Sequence, residues 1–218
     1  MRGDGEGVNA HDLVDAVLRA RRATLALAAP LSPEDMILQS MPDCSPTKWH
    51  LAHTTWFFET FLLKPHAPGY RPYDERFAYL YNSYYEALGP RAPRPQRGLV
   101  SRPTADEVLA YRAHVDAALE SAFGRRSFDR ALDGLFALGR AHEEQHQELL
   151  LMDIKHAFSL NPIHPAYQAR PAAAAAGARP AEWMRFEEGL QDIGWNGEGF
   201  AFDNEGPAHR VWLNAFSL

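Results

Sequence analysis

The chain has 218 residues, of which 46% are apolar and 23% are charged, and this is enough for one real hydrophobic core and one or two domains. Its formal net charge of −6, without a basic stripe, argues against nucleic acid or an anionic membrane as a partner. The N-terminus lacks the apolar segment of a signal peptide, no run of about eighteen apolar residues occurs, and the single cysteine, Cys44, favours a reducing compartment. We therefore expect a cytoplasmic protein.

Helical periodicity predicts a first helix after a polar, glycine-rich tail. Residues 1–8 are expected to be disordered. The helix follows over about residues 9–28, where apolar residues recur at helical spacing. In this helix Arg19, Arg21 and Arg22 are expected to face water.

A second helix is predicted to begin at Ser45-Pro46, where a capping residue precedes proline, and to end at Pro65. One face of this helix is aromatic and carries His53, whereas His50 is expected to lie towards the rim. The other residues expected on the aromatic face are Trp49, Ala52, Trp56, Phe57 and Thr60.

Prolines and glycines punctuate residues 65–103, which are predicted to form a long crossover. Its many tyrosines argue against disorder, and a short helix is expected near residues 74–87. A third helix should follow from the capping box of Thr104 and Glu107 to about Phe123.

The fourth and longest helix is predicted over residues 128–158, with Ser127 as its cap. His142 and His146 are four residues apart in it, so their side chains should lie on one face and could bind one metal ion. The remaining surface is expected to carry Glu143, Glu144, Gln147 and Glu148.

Four long helices with one long crossover indicate an all-α four-helix bundle over residues 9–161. Such bundles build metal sites in the core from facing helices. His53, His142 and His146 would then form one set, and three neutral imidazoles bind zinc, iron or copper while leaving positions open for substrate. Candidate acceptors for the second ring nitrogen of these histidines are Glu59, Glu143, Glu144 and Asp153.

Other interpretations of these residues stay open at this point. Residues 142–146 match the H-E-x-x-H pattern of zinc metalloproteases, with Glu143 as the general base. The metzincin extension of that pattern needs Gly at position 149, which is Leu. The histidines could also be ordinary core residues, and Cys44 either an inert thiol or a nucleophile.

The C-terminal part changes in composition. Residues 162–181 are rich in proline and alanine and are predicted to be a linker. Residues 182–218 are rich in glycine and aromatics, with strands expected at 200–202 and 211–216 around a turn. This short, incomplete β-containing segment is too small to close a domain, so we expect a longer parent protein.

Three segments resemble the N-terminal DinB-like domain of the ergothioneine-biosynthesis sulfoxide synthases: SPTKWHLAHTTWFFETFLL, YYEALGPRAPRPQRGLVSRPT and HEEQHQELLLMDIKH. The final segment, FAFDNEGPAHRVWLNAFSL, is similar to the opening of the formylglycine-generating-enzyme-like domain that follows in that family. The resemblance implies a non-haem Fe(II) held by His53, His142 and His146. It also implies a reaction that joins γ-glutamylcysteine or cysteine to C2 of trimethylhistidine (hercynine) and consumes O₂.

The same resemblance implies roles for residues outside the histidine set. Gln145 would line the pocket of the substrate imidazole. Two of Arg91, Arg94 and Arg97 would hold the carboxylate of the thiol, and both the 91/94 and the 94/97 pair fit. The catalytic Tyr of the family lies in the second domain, so little or no activity is expected from these 218 residues alone. Related alternatives are an ovothiol-type synthase acting on unmethylated histidine and a DinB-like thiol S-transferase using zinc or nickel without O₂.

Overall fold

The chain divides into two compact units, Met1–Ala169 and Arg170–Leu218. The computed structural model describes residues 10–83, 89–124, 130–169 and 181–218. The expected disordered tail at 1–8, the Ser127 cap and the linker residues 170–180 lie outside the described residues.

The first unit is helical. Its α-helices within the described ranges are α1 (Ala10–Ala28), α2 (Thr47–Phe58), α3 (Lys64–His66), α4 (Phe77–Tyr81), α5 (Ala105–Phe123) and α6 (Arg130–Leu160). A π-helical turn, Glu59–Leu63, joins α2 to α3, and 3-10 turns lie at Asp35–Ile37 and Arg94–Leu99. The predicted helical architecture followed by short strands is confirmed.

Four long helical segments share the core of this unit. Helix α1 packs against α5 and α6, and α2 also packs against α5 and α6. Every residue of α2 is buried, because the helix is apolar on most of its circumference and is covered on several sides. The largest fully buried apolar side chains include Trp56, Tyr81, Tyr111, Phe123 and Phe136.

The predicted capping box at the start of α5 is confirmed. The Thr104 hydroxyl accepts a hydrogen bond from the Glu107 N–H at 3.2 Å, and the Glu107 carboxylate accepts from the Thr104 N–H at 2.6 Å. Gly124 follows the last residue of the helix. By contrast, the predicted helix near residues 74–87 is shorter in the structure, where α4 covers Phe77–Tyr81; residues 84–87 are outside the described part of the chain.

The expectation that Arg21 and Glu143 face water is wrong. The Glu143 carboxylate is fully buried and is held by Arg112 and, at 3.3 Å, by Arg21. Thr24 donates a further hydrogen bond to it, and Arg21 is also paired with Asp116. A charged side chain enters a protein interior only with partners, and these partners come from two other helices, α1 and α5.

The second unit contains two antiparallel strand pairs. Strand β1 (Arg185–Phe186) pairs with β4 (Phe216–Ser217), and β2 (Gly189–Ile193) pairs with β3 (His209–Leu213). The strand predicted at 200–202 is therefore wrong: the Phe202 N–H donates to the Glu205 carboxylate at 2.7 Å, which commits this stretch to the 3-10 turn that follows. The strand predicted at 211–216 is right only in part, since β3 ends at Leu213.

Within the described residues, no helix has the length and apolar character needed to cross a membrane.

The buried Glu143 network gives a stability prediction. Burial opposes ionisation of Glu143, but the neighbouring Arg112 and Arg21 outweigh burial and lower the pKa of Glu143 to about 2. Replacing Glu143 with Gln leaves two guanidinium groups in the interior without this partner, and we expect the free energy of unfolding at pH 7 to fall by about 3 kcal/mol. Urea denaturation measures this loss. The matched control is Glu144→Gln, which changes the exposed neighbour, and its free energy of unfolding should differ from that of the wild type by less than about 0.5 kcal/mol.

The pH dependence follows from the same pKa. An unfolded Glu titrates near pH 4.3, so the ionised folded carboxylate contributes stability above that pH and loses it as pH falls towards about 2. The wild-type protein should therefore lose stability over this window more steeply than Glu143→Gln. Parallel curves for the two proteins would contradict this account of the network.

Candidate metal centre

Three histidines converge where α2 faces α6. One ring nitrogen each of His53, His142 and His146 lies within 4.8 Å of the others. The ring centroids are 4.6 Å apart for the pair on α6, and 4.8 and 5.0 Å from His53 to His146 and His142. Two metal–nitrogen bonds of about 2.1 Å span at most about 4.2 Å, so small rotations of these rings suffice to hold one ion.

The surroundings keep these imidazoles neutral. Burial lowers the pKa of His142 to about 4, and burial together with neighbouring rings lowers the pKa of His53 and of His146 further below the usual value. A neutral imidazole presents the lone pair that a metal requires. In addition, His142 Nδ1 is buried and has no hydrogen-bond partner within the described chain. A metal ion fits both observations.

The orientation of His53 is fixed on three sides. Its Nδ1 donates a hydrogen bond to the Tyr81 carbonyl at 2.6 Å, which leaves Nε2 as the nitrogen with a free lone pair. The ring stacks on Trp49 with 4.4 Å between centroids, and Trp56 lies on it at 5.6 Å. The sequence did not indicate the carbonyl, because a backbone acceptor contributed by α4 has no side-chain signature.

The expectation that His50 lies at the rim is also wrong. His50 is only 2% exposed, and its Nδ1 lies 2.8 Å from Nδ1 of His146. Its Nε2 lies 3.0 Å from Oδ2 of Asp153. His50 precedes His53 by three residues, so the two share the face of α2 that packs on α6. That spacing is the signal from which its place could have been predicted.

The predicted acceptors behave differently from one another. Asp153 reaches the histidines through His50. Glu59 accepts hydrogen bonds from the Tyr70 and Tyr111 hydroxyls at 2.6 and 2.8 Å, and Glu144 is exposed and pairs with Arg140. None of these three carboxylates contacts a ring nitrogen of the histidine cluster directly.

The metalloprotease interpretation does not fit the structure. In an H-E-x-x-H protease the glutamate acts as a general base at the metal. Here Glu143 points away from His142 and into the pair of arginines from α1 and α5. Its low pKa also makes it a poor proton acceptor at neutral pH.

The three arginines of the crossover occupy different environments. Arg97 is 5% exposed, donates to the Ser45 and Ser83 hydroxyls at 2.9 and 3.0 Å, and lies 3.4 Å from the centroid of the Trp49 ring. Arg94 donates from Nε to the Asp43 carbonyl at 3.1 Å. Arg91 is exposed. The structure thus brings Arg97 beside the histidine cluster, with Trp49 between its guanidinium and His53.

The last two candidates are Gln145 and Cys44. Gln145 is exposed on α6, three residues after His142, so the two side chains are neighbours on that helix. Cys44 is 4% exposed, and burial raises the pKa of its thiol. A buried neutral thiol suits packing better than nucleophilic chemistry.

The geometry predicts one metal ion per chain. Anaerobic addition of Fe(II), desalting and metal analysis should give one equivalent for the wild type. His142→Ala should abolish retention of this ion, because two nitrogens do not complete the set. His114→Ala, which changes an exposed histidine outside the cluster, is the control and should retain it. Iron retained by His142→Ala would remove the basis for this site.

Comparison with known protein families identifies a superfamily for most of the helical unit. Residues 16–158 match the DinB superfamily, and this segment covers about two thirds of the chain and includes all three histidines. The superfamily is metal-binding and includes metal-dependent enzymes. No curated protein matches the chain.

Proposed function

Because the chain belongs to the DinB superfamily, we propose that its three-histidine cluster binds one Fe(II) for an O₂-dependent sulfoxide synthase reaction. The substrates are a low-molecular-weight thiol, γ-glutamylcysteine or cysteine, and trimethylhistidine, whose imidazole C2 becomes bonded to sulfur. The observation that carries the proposal is the convergence of His53, His142 and His146, of which His53 and His146 are buried and His142 is partly exposed. Three protein ligands leave positions open for substrates.

The reaction balances with O₂ as the oxidant. The S–H bond of the thiol and the C2–H bond of the imidazole break, and a C–S and an S–O bond form. One oxygen atom enters the sulfoxide and the other leaves as water with the two hydrogens. When bound, the ion supplies Lewis acidity towards the thiol and redox capacity towards O₂.

A fixed positive charge beside the cluster supports binding of a carboxylate-bearing thiol. The Arg97 guanidinium is held by two serine hydroxyls and by the Trp49 ring, so little side-chain entropy is lost when it binds a carboxylate. Arg94 begins the same 3-10 turn, in which residues i and i+3 are eclipsed. This favours Arg94 and Arg97, rather than Arg91 and Arg94, as the carboxylate pair.

The second substrate, trimethylhistidine, would enter the site beside His142. His53 and His146 are buried, whereas His142 is partly exposed, so the cluster opens towards solvent at His142. Gln145 neighbours His142 on that side. An exposed amide three residues from His142 could hydrogen-bond an imidazole that enters there, and this spacing supports Gln145 as the residue that orients trimethylhistidine.

A thiol S-transferase is the second candidate, because the superfamily match is compatible with it and three neutral imidazoles also suit zinc. Oxygen distinguishes the two functions. A synthase requires Fe(II) and O₂ and forms a sulfoxide. A transferase instead uses zinc under anaerobic conditions: the thiol sulfur displaces a leaving group from an electrophilic acceptor to form a thioether, and the thiol proton leaves with the displaced group. Unmethylated histidine as the preferred acceptor would indicate the ovothiol-type reaction.

The role of Arg97 gives a binding prediction that does not depend on turnover. Co(II)-loaded protein titrated anaerobically with γ-glutamylcysteine should develop a thiolate-to-metal absorption band. In Arg97→Lys the Kd for the thiol should rise by at least about tenfold, since a bidentate charge-assisted contact is lost. Arg91→Lys is the matched control and should change the Kd by less than about threefold.

Admission of air to the Fe(II) protein with both substrates then tests the reaction. We expect little or no turnover by these 218 residues alone, and any product that does form should be heavier than the two substrates together by one oxygen atom and lighter by two hydrogen atoms. Thiol binding equally strong in Arg97→Lys and the wild type would contradict the role of Arg97. A thioether formed without O₂ from an electrophilic acceptor, with release of its leaving group, would replace the synthase with the transferase.

A further inference from the structure

His50 is the side chain that hydrogen-bonds a ring nitrogen of the histidine cluster within the described chain. Its Nδ1 lies 2.8 Å from Nδ1 of His146, and its Nε2 lies 3.0 Å from Oδ2 of Asp153. Asp153 follows His146 by seven residues, two turns along α6, so one residue of α2 bridges two residues of one face of α6. All three are less than 10% exposed.

The direction of these hydrogen bonds follows from one backbone donor when the buried His50 imidazole is neutral. The Ser45 backbone N–H donates to Oδ2 of Asp153 at 2.8 Å, and a backbone amide can only donate. Oδ2 is therefore an acceptor, and His50 Nε2, which contacts the same oxygen, carries a proton and donates it. A neutral imidazole has one N–H, so His50 Nδ1 is an acceptor.

This assignment also determines the tautomer of His146. Because His50 Nδ1 accepts, Nδ1 of His146 must be the donor in the 2.8 Å contact between them. The proton of His146 is thereby fixed on Nδ1, and its Nε2 is left with the free lone pair. His53 reaches the same state through the Tyr81 carbonyl. Two of the three rings are thus prepared as Nε2 ligands, one by the backbone and one by a side chain.

We infer that His50 is a positioning residue of the metal centre, which with Asp153 holds His146 in the tautomer and orientation that bind the ion. This rests on the proposed metal site and adds a residue to it. A partner that accepts from the distal N–H of a ligand histidine increases its basicity, and loss of such a partner typically lowers metal affinity by about 10–100-fold.

Two substitutions at position 50 separate the two contacts of His50. The terminal atoms of Asn lie near the position of histidine Nδ1, so His50→Asn can still accept from His146 and loses Asp153. The terminal atoms of Gln lie near the position of Nε2, so His50→Gln keeps the contact to Asp153 and loses His146. Gln is closer to histidine in volume than Asn is. If His50 only filled space, the site would therefore tolerate Gln at least as well as Asn.

The experiment is anaerobic titration of the wild type, both variants and His156→Gln with Co(II), followed by visible absorption. His156 lies on α6, hydrogen-bonds Ser40 at 2.7 Å and is outside the cluster, so its variant is the control. We expect His50→Gln to weaken the Kd for Co(II) by about 10–100-fold and to alter the ligand-field spectrum. His50→Asn should stay within about threefold of the wild type, and the control should match it.

Each other outcome has a definite meaning. Equal affinity for the Asn and Gln variants, or tighter binding by Gln, would overturn the positioning role while leaving the metal site in place. Wild-type protein that binds no Co(II) or Fe(II) would instead overturn the proposed function. Thermal unfolding of the metal-free proteins, measured alongside, ensures that each titration is made on folded protein.

Discussion

The carboxylate of Glu143 between the guanidinium groups of Arg21 and Arg112 determines where α6 lies against α1 and α5. A buried charge tolerates displacement poorly, because any movement leaves it without partners in a medium that solvates it weakly. This constraint sets the rotation of α6 about its own axis. The residues on either side of Glu143 are consequently directed elsewhere, and His142 and His146 are turned towards α2. The position of the histidine cluster therefore depends on the network that holds α6.

Helix α2 supplies the other half of the site by a different means. It is buried along its whole length and held by close packing and ring stacking, and Arg21 and Arg112 also donate hydrogen bonds to it. Trp49 lies between the Arg97 guanidinium and the His53 ring. This indole ring therefore packs the crossover, through Arg97, against the histidine cluster. The proposed substrate-binding arginine and a proposed ligand are held at a fixed separation by this stack. Displacement of the crossover would therefore disturb both together.

Much of the helical unit could be predicted from local signals. The capping box located the start of α5, and the apolar periodicity located α1 and α6 to within a few residues. The faces that carry His53, His142 and His146 were also correct, since i to i+4 spacing needs no knowledge of the partner helix. Their role as ligands stays a prediction, as do the roles of Gln145 and the arginines.

The misses share one physical cause. Periodicity assigns charged residues to water, yet Arg21 and Glu143 are buried because each meets a partner more than 90 residues away in sequence. His50 was misplaced for the same reason, since its acceptor Asp153 is 103 positions distant. In the second unit, the strand that pairs with β3 is Gly189–Ile193 rather than 200–202. The alternation of apolar and polar residues within a segment does not show which other segment it pairs with, so the sequence could not decide between them.

Consecutive residues of α6 serve separate purposes: His142 belongs to the cluster, while Glu143 belongs to the network that holds the helix. Adjacent residues on a helix point about 100° away from each other, so His142 and Glu143 contact different neighbours. A change of side chain at His142 therefore leaves the Glu143 network in place, and with it the packing of α6 on α1 and α5. Chemistry at this partly exposed position can vary while the same helix keeps its place in the fold.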